Sequence, residues 1–169
     1  MIDTKRLSVL VERELEAIAD ARVRDLVRSL LVEPRPVLRD WDYGEPGQQY
    51  VCWTVVEDCA RSDVAIAYCE QGFGPASPWG LVWSREDARG EGSIGMDSAW
   101  FFTLEEAVYE SVASSLPIWR LYGRDGALSE EMDWDAAWKA CASLRAADPG
   151  GFYAVDCTRG KDRGEPAAD

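Results

Sequence analysis

Between Asp3 and Val32 the apolar positions recur at a helical period. Leu7, Leu10, Val11, Leu15 and Ile18 form one stripe, with Asp3 or Thr4 available as N-cap. The stripe changes phase across Ala19-Asp20-Ala21 and resumes as Val23, Leu26, Val27, Leu30 and Leu31. That slip predicts a break, with Asp20 capping a second helix. Pro34 and Pro36 withhold backbone donors and restrict the residues before them, so the second helix is expected to end there.

Beyond the prolines the period drops to two. Val37–Tyr43 reads as a strand, and Gly44-Glu45-Pro46-Gly47 as a turn. Tyr50–Asp58 and Asp63–Glu70, rich in Val, Ile, Tyr and Trp, read as a hairpin closed by Cys59–Ser62. That loop length sets Asp58 opposite Asp63, Val55 opposite Ile66, Trp53 opposite Tyr68 and Cys52 opposite Cys69. Trp53, Val55, Val64, Ile66 and Tyr68 then share one face, and Cys52, Thr54, Val56, Ala65, Ala67 and Cys69 the other. A strand pair apolar on both faces belongs at the centre of a covered sheet. Gly72, Gly74, Pro75 and Pro78 punctuate a loop before the next strand, Trp79–Ser84.

Arg85–Gly92 is charged and reads as an exposed loop; Ser93–Met96 and Ala99–Phe102 read as short strands around Asp97-Ser98. Thr103 and Glu106 have the spacing of a capping box, opening a helix to about Ser115 that Pro117 stops. Ile118–Tyr122 is expected as a strand, Ser129–Ala147 as a helix burying Trp134, Ala137, Trp138, Cys141 and Leu144, and Phe152–Cys157 as a last strand. The resulting fold class is α+β: a mainly antiparallel central sheet covered by an N-terminal helix or helix pair and by two later helices. Residues 1–157 are expected to form a single domain and residues 158–169 a disordered tail.

Composition adds charge to this picture. The chain has 169 residues, is 47% hydrophobic, contains eight tryptophans and carries a formal charge of −13. Such a field repels nucleic-acid phosphates and anionic membrane surfaces and attracts basic partners. The N-terminal residues lack a signal-peptide pattern and no window is apolar enough to span a membrane, so the expected location is cytoplasmic. In that compartment the five cysteines are expected as thiols.

Candidate chemistry is limited by the absence of histidine, which removes Ser-His-Asp and Cys-His catalysis and the commonest zinc ligand. Cys52 facing Cys69 invites a metal or redox reading, but the spacing is not that of a zinc motif and paired core thiols fit as well. Neither a cofactor nor a metal is expected. Carboxylates offer an enzymatic alternative if Asp40, Asp42 and Asp97 converge in a cleft. The Phe73–Trp79 loop offers another, a small-ligand or adaptor platform with either ring exposed or tucked onto its own sheet.

The runs Arg39–Gly47, Tyr50–Trp53, Tyr68–Pro75 and Ser93–Asp97 resemble bacterial cytosolic proteins to which no activity is attached. As a class the chain is similar to the immunity proteins of bacterial polymorphic-toxin and contact-inhibition systems: small, acidic, Trp-rich and without a catalytic signature. The resemblance spans roughly residues 37–115 and transfers no functional residue. It implies an inhibitor that covers the active site of a basic toxin, and a basic protein as partner in place of nucleic acid or membrane. The binding residues expected from the hairpin are the acidic Asp40, Asp42, Glu45, Glu57, Asp58 and Asp63, forming one rim, with Phe73 and Trp79 as anchors.

Overall fold

The computed structural model describes residues 2–58, 63–84, 92–96 and 98–157. The class is α+β, with four helices and a six-stranded, mostly antiparallel sheet among the described residues. These residues, expected as one domain over 1–157, divide into two compact units, one drawn from 2–18 and 24–112 and the other from 19–23 and 113–157. The tail expected over 158–169 lies outside the described residues.

In the first unit the helix α1, Thr4–Ala17, starts where the side chain of Asp3 accepts from the Arg6 amide at 2.8 Å, and buries Leu7, Val11 and Leu15. The break expected near Asp20 is present. The next helix, α2, runs Ala21–Leu30, and Asp20 Oδ1 accepts from the Arg22 amide at 2.8 Å. Pro34 and Pro36 do not end α2 as expected; it stops at Leu30, and strand β1, Leu31–Trp41, follows at once and runs through both. Its hydrogen bonding explains the tolerance. Asp40 N and Asp42 N donate away from β2, to Gly92 O at 3.0 Å and Ile94 O at 3.1 Å, while Trp41 N donates to Gln48 O on the other side at 2.8 Å. Pro36, in phase with Asp40, therefore turns its donorless nitrogen to the outer edge, where no ladder bond is lost.

The remaining strands of this sheet are β2 (Gln49–Glu57), β3 (Val64–Tyr68), β4 (Trp79–Trp83), β5 (Ser93–Ile94) and β6 (Ala99–Phe101), in the order β5-β1-β2-β3-β4-β6. Only the β1–β5 pairing is parallel. Trp53 faces Tyr68 as expected, but the register shifts after Thr54, so that Val56, not Val55, faces Ile66 and Glu57 faces Ala65. A bulge puts an extra residue in one strand and turns consecutive side chains inward, and Val55 and Val56 are both 1% exposed. Residues 59–62, the expected hairpin loop, lie outside the described residues, as do residues 85–91.

The two faces of this sheet carry different residues. On one, Trp53, Tyr68, Ile66 and Trp79 align across β2, β3 and β4. Helix α1 lies on this side: Ile2, just before it, lines a pocket with Val51 and Trp53, and Glu14 repels charge on Tyr68, whose pKa is pushed up chiefly by burial. On the other face, Cys52, Ala65, Ala67, Cys69, Val82 and Ile94 form a buried cluster against which Trp41, Tyr50 and Trp100 pack. Trp53, expected at the buried centre, is only half-buried; Trp79 is 2% exposed and occupies the deep position.

The capping box at Thr103 is present in both directions, and α3 follows as Leu104–Tyr109. It is shorter than expected. Ser111 Oγ donates to Ala107 O at 2.6 Å, and Ser111 N bonds Val108 O at 3.2 Å, tightening the chain into a 3-10 helix over Val112–Ser115. The Glu14 side chain of α1 accepts from Leu104 N at 3.4 Å, joining the two helices that contact this sheet.

The second unit contains a second sheet: β7 (Trp119–Gly123), β8 (Gly126–Ala127) and β9 (Ala154–Cys157), in the order β8-β7-β9. The helix α4, Trp134–Ala147, contacts β7 and β9 of this sheet. It starts five residues later than Ser129, because Met132 bridges to Trp119 and Asp133, not an earlier residue, caps it by accepting from Ala136 N at 2.8 Å. Ala137 and Cys141 are buried as expected, whereas Trp138 is exposed and stacks on Trp134. Arg22 of this unit bonds both Asp20 and Glu131, and its guanidinium holds the Asp20 carboxyl below its usual range. Among the described residues no helix is long and apolar enough to cross a membrane.

Candidate functional site

The expected acidic rim does not assemble. Asp40 pairs with Gln49 at one end of β2, while Glu57 closes its other end. Eight steps at about 3.3 Å separate these ends by roughly 26 Å. Glu57 is half-buried beside Arg35, its ion-pair partner, and Asp58 is buried. Asp63 is exposed at the same far end, its carbonyl accepting from Ser84 N at 2.7 Å. Asp40, Asp42 and Glu45 remain at the near end, all exposed. Asp40 accepts from Gln49 Nε2 at 2.7 Å, and Asp42 Oδ2 accepts from Met96 N at 2.9 Å, tying the strand end to the turn after β5.

Trp79 is not an anchor. It is 2% exposed, makes an edge contact with Tyr68 at 5.1 Å, and lies between Tyr68 and Phe101 in the ladder. Phe73 is an anchor candidate, 41% exposed. The loop that carries it leaves β3 through Cys69 N, which donates to Pro78 O at 2.9 Å. Gly72 has φ +74°, and a side chain there would meet the Trp41 ring at 3.3 Å, so both the backbone angle and the ring require glycine.

Structure adds partners to Phe73 that the linear pattern did not. The Trp41 ring contacts Phe73 edge-on at 5.0 Å, Tyr43 edge-on at 5.2 Å and Tyr50 at 5.8 Å. Phe73 also lies 6.1 Å from Tyr43 and 5.6 Å from Trp100. Such edge and tilted arrangements set the electropositive rim of one ring against the face of another. Trp41 and Trp100 are half-buried beneath, and Tyr43, 60% exposed, stands with Phe73 at the surface. Trp100 is held by its Nε1, which donates to Ser98 Oγ at 2.7 Å, and by Gly80, whose missing Cβ would come within 2.7 Å of the indole. The turn below Tyr43 is closed by Gly44 N to Trp41 O at 3.0 Å and Gln48 N to Glu45 O at 2.9 Å. Strand parity gave no signal for this: β1 ends at Trp41, and Tyr43 lies in the turn closed by Gly44 N and Trp41 O, where alternation no longer applies.

The rings of this surface are suited to contact with a partner. Among the described residues no group of three or more His, Cys, Asp or Glu side chains is placed to hold a metal. Asp97, the third carboxylate of the expected cleft, lies outside the described residues. Asp40 is on the face opposite Trp41, so the strand splits the carboxylate from the rings. Among the described residues, two pockets lie away from these carboxylates. One of about 220 Å³ is lined by Ile2, Val51, Trp53, Glu70 and Gln71, and one of about 420 Å³ by Arg35, Pro36, Val37, Arg39, Thr54 and Ser84. Neither contains Asp40 or Asp42. Compared with protein-family models, with curated proteins and with solved structures, the chain matches none.

Proposed function

We propose that the protein is an inhibitor that docks a basic protein, in the manner of an immunity protein covering a toxin's active site. The observation that supports this reading most is the surface built by Tyr43 and Phe73 over Trp41 and Trp100. Its exposed rings are backed by others and by two hydrogen-bonded turns, so binding costs little side-chain ordering. Aromatic anchors of this kind dominate interface energetics. Asp40, Asp42 and Glu45 at the same strand end, within a net charge of −13, favour a cationic partner and speed its approach.

The test is protection in cells. The product of the adjacent reading frame, expressed alone in a heterologous host, is expected to arrest growth, and co-expression of this protein to restore it. Tyr43→Ala combined with Phe73→Ala is expected to abolish protection at unchanged protein level. Growth arrest that this protein never relieves, or protection that survives the double substitution, overturns the reading.

A further inference from the structure

The sheet register also brings two thiols together. Cys52 and Cys69 lie one step beyond the Trp53–Tyr68 pair, both 0% exposed and in one buried cluster. The kind of pair they form follows from their main chains. Trp41 N donates to Gln48 O, and the same ladder pairs Arg39 with Tyr50 and Val37 with Cys52. Even-numbered residues in this part of β2 therefore turn their N–H and C=O toward β1. Cys69 N donates to Pro78 O at 2.9 Å, also away from β2. Cys52 and Cys69 thus form a non-hydrogen-bonded antiparallel pair, the closer type, with Cα atoms about 4.5 Å apart. A disulfide spans roughly 4.4–6.8 Å between Cα atoms, so the pair is within reach at the near end of that range. Each thiol is the largest influence on the other: Cys52 as donor pulls the Cys69 thiol below its ordinary value, and the same interaction, then burial, pushes Cys52 up.

We propose that Cys52 and Cys69 are a peroxide-reactive dithiol that closes to a cross-strand disulfide at the foot of the Phe73 loop. Their full burial calls for a water-sized oxidant, which favours hydrogen peroxide over a peptide disulfide. Cys69 attacks one peroxide oxygen; the O–O bond breaks, and the proton given up by the Cys69 thiol joins the leaving hydroxide to make water. Cys69 is then a sulfenic acid. The Cys52 sulfur attacks it, the S–O bond breaks as S–S forms, and a second water leaves with the Cys52 proton. Two thiols are oxidised and one hydrogen peroxide is reduced to two waters.

The experiment treats the reduced full-length protein with hydrogen peroxide, then alkylates it under denaturing conditions and maps its peptides. Two of the five thiols are expected to disappear, with the Cys52 and Cys69 peptides joined and released by dithiothreitol. In Cys52→Ser the oxidation is expected to stop at a Cys69 sulfenic acid that dimedone captures. All five thiols surviving while a control peptide thiol is oxidised, or a bridge from either cysteine to Cys59, Cys141 or Cys157, overturns the proposal. A dimedone adduct on Cys52 in Cys69→Ser, with none on Cys69 in Cys52→Ser, overturns the assigned order of attack.

Discussion

On one face of the six-stranded sheet, Trp53, Ile66, Tyr68 and Trp79 lie on the side of α1, and α3 contacts β4 and β6. On the other, the buried cluster of Cys52, Ala65, Ala67, Cys69, Val82 and Ile94 has no helical member among the described residues, and the rings of Trp41, Tyr50 and Trp100 pack on it. Side-chain size differs accordingly. The helix side uses large residues at the sheet centre, because α1 brings its own Leu7, Val11 and Leu15 to fill the remaining space. The ring side keeps its centre small, with alanines, thiols and Gly80, so that indoles anchored at the edges can lie flat across it. The helix side seals Trp79 and leaves Trp53 half-buried, whereas the face closed by rings ends in rings at the surface. Tyr43 and Phe73 are that ending.

The sharpest way to break this comparison is through its two tryptophans on the helix side. Trp79→Ala is expected to cost about 3–5 kcal/mol, since it removes a sealed side chain. Trp53→Ala, at a half-buried position, is expected to cost less than about 3 kcal/mol. Urea denaturation of both variants checks the order, and equal losses would mean that the helix side is not sealed over Trp79. On the ring side the probe is Gly80. Adding a methyl group where the Trp100 indole lies 2.7 Å from the ideal Cβ is overpacking, expected to cost about 1–3 kcal/mol. Gly80→Ala combined with Trp100→Leu is expected to lose less than the sum of the two single variants. Strict additivity in that cycle would remove the indole from the sheet face.

What was legible beforehand was local. The capping box at Thr103 and the phase slip at Asp20 each depend on residues a few positions apart. The bulge after Thr54 was not legible, because Val55 and Val56 are both apolar and either parity gives a plausible buried pattern. Trp79 looked like a loop anchor because it follows Pro78, but its environment is set by β3 and β6, strands it meets only in three dimensions. The second sheet was hidden for a related reason: β7 and β9 pair across the whole of α4. The acidic rim failed on strand length alone. Residues adjacent at a turn were grouped with residues at the far end of the same strand.

Thr103→Ala tests the helix side from its margin. It unmakes the capping box that opens α3, at an expected cost of about 1 kcal/mol. The measurement is the denaturation midpoint, with Thr103→Ser as the control expected to retain the cap. A loss confined to Thr103→Ala, with binding to the partner unchanged, separates the stability of the helix side from the contact surface of the ring side.

The smallest stability effects are expected where the largest binding effects lie. Tyr43 is 60% exposed, and among the described residues its ring contacts are with Trp41 and Phe73. Tyr43→Ala is therefore expected to change stability by no more than about 0.5 kcal/mol. Phe73→Ala gives up contacts with Trp41 and Trp100 as well, each worth about 0.5–1.5 kcal/mol when buried and less at 41% exposure. For binding the order reverses. Truncating a central anchor raises the dissociation rate, while Asp40→Asn, Asp42→Asn and Glu45→Gln together slow association and flatten its salt dependence. Asp42→Asn keeps an oxygen for the Met96 amide, so the strand end stays closed while the charge is removed. Surface plasmon resonance against the proposed basic partner, at two salt concentrations, resolves the two rates. If the ring variants leave dissociation untouched while the charge variants slow association, the partner is held by charge alone. The aromatic surface would then be only the outer layer of a ring-closed core.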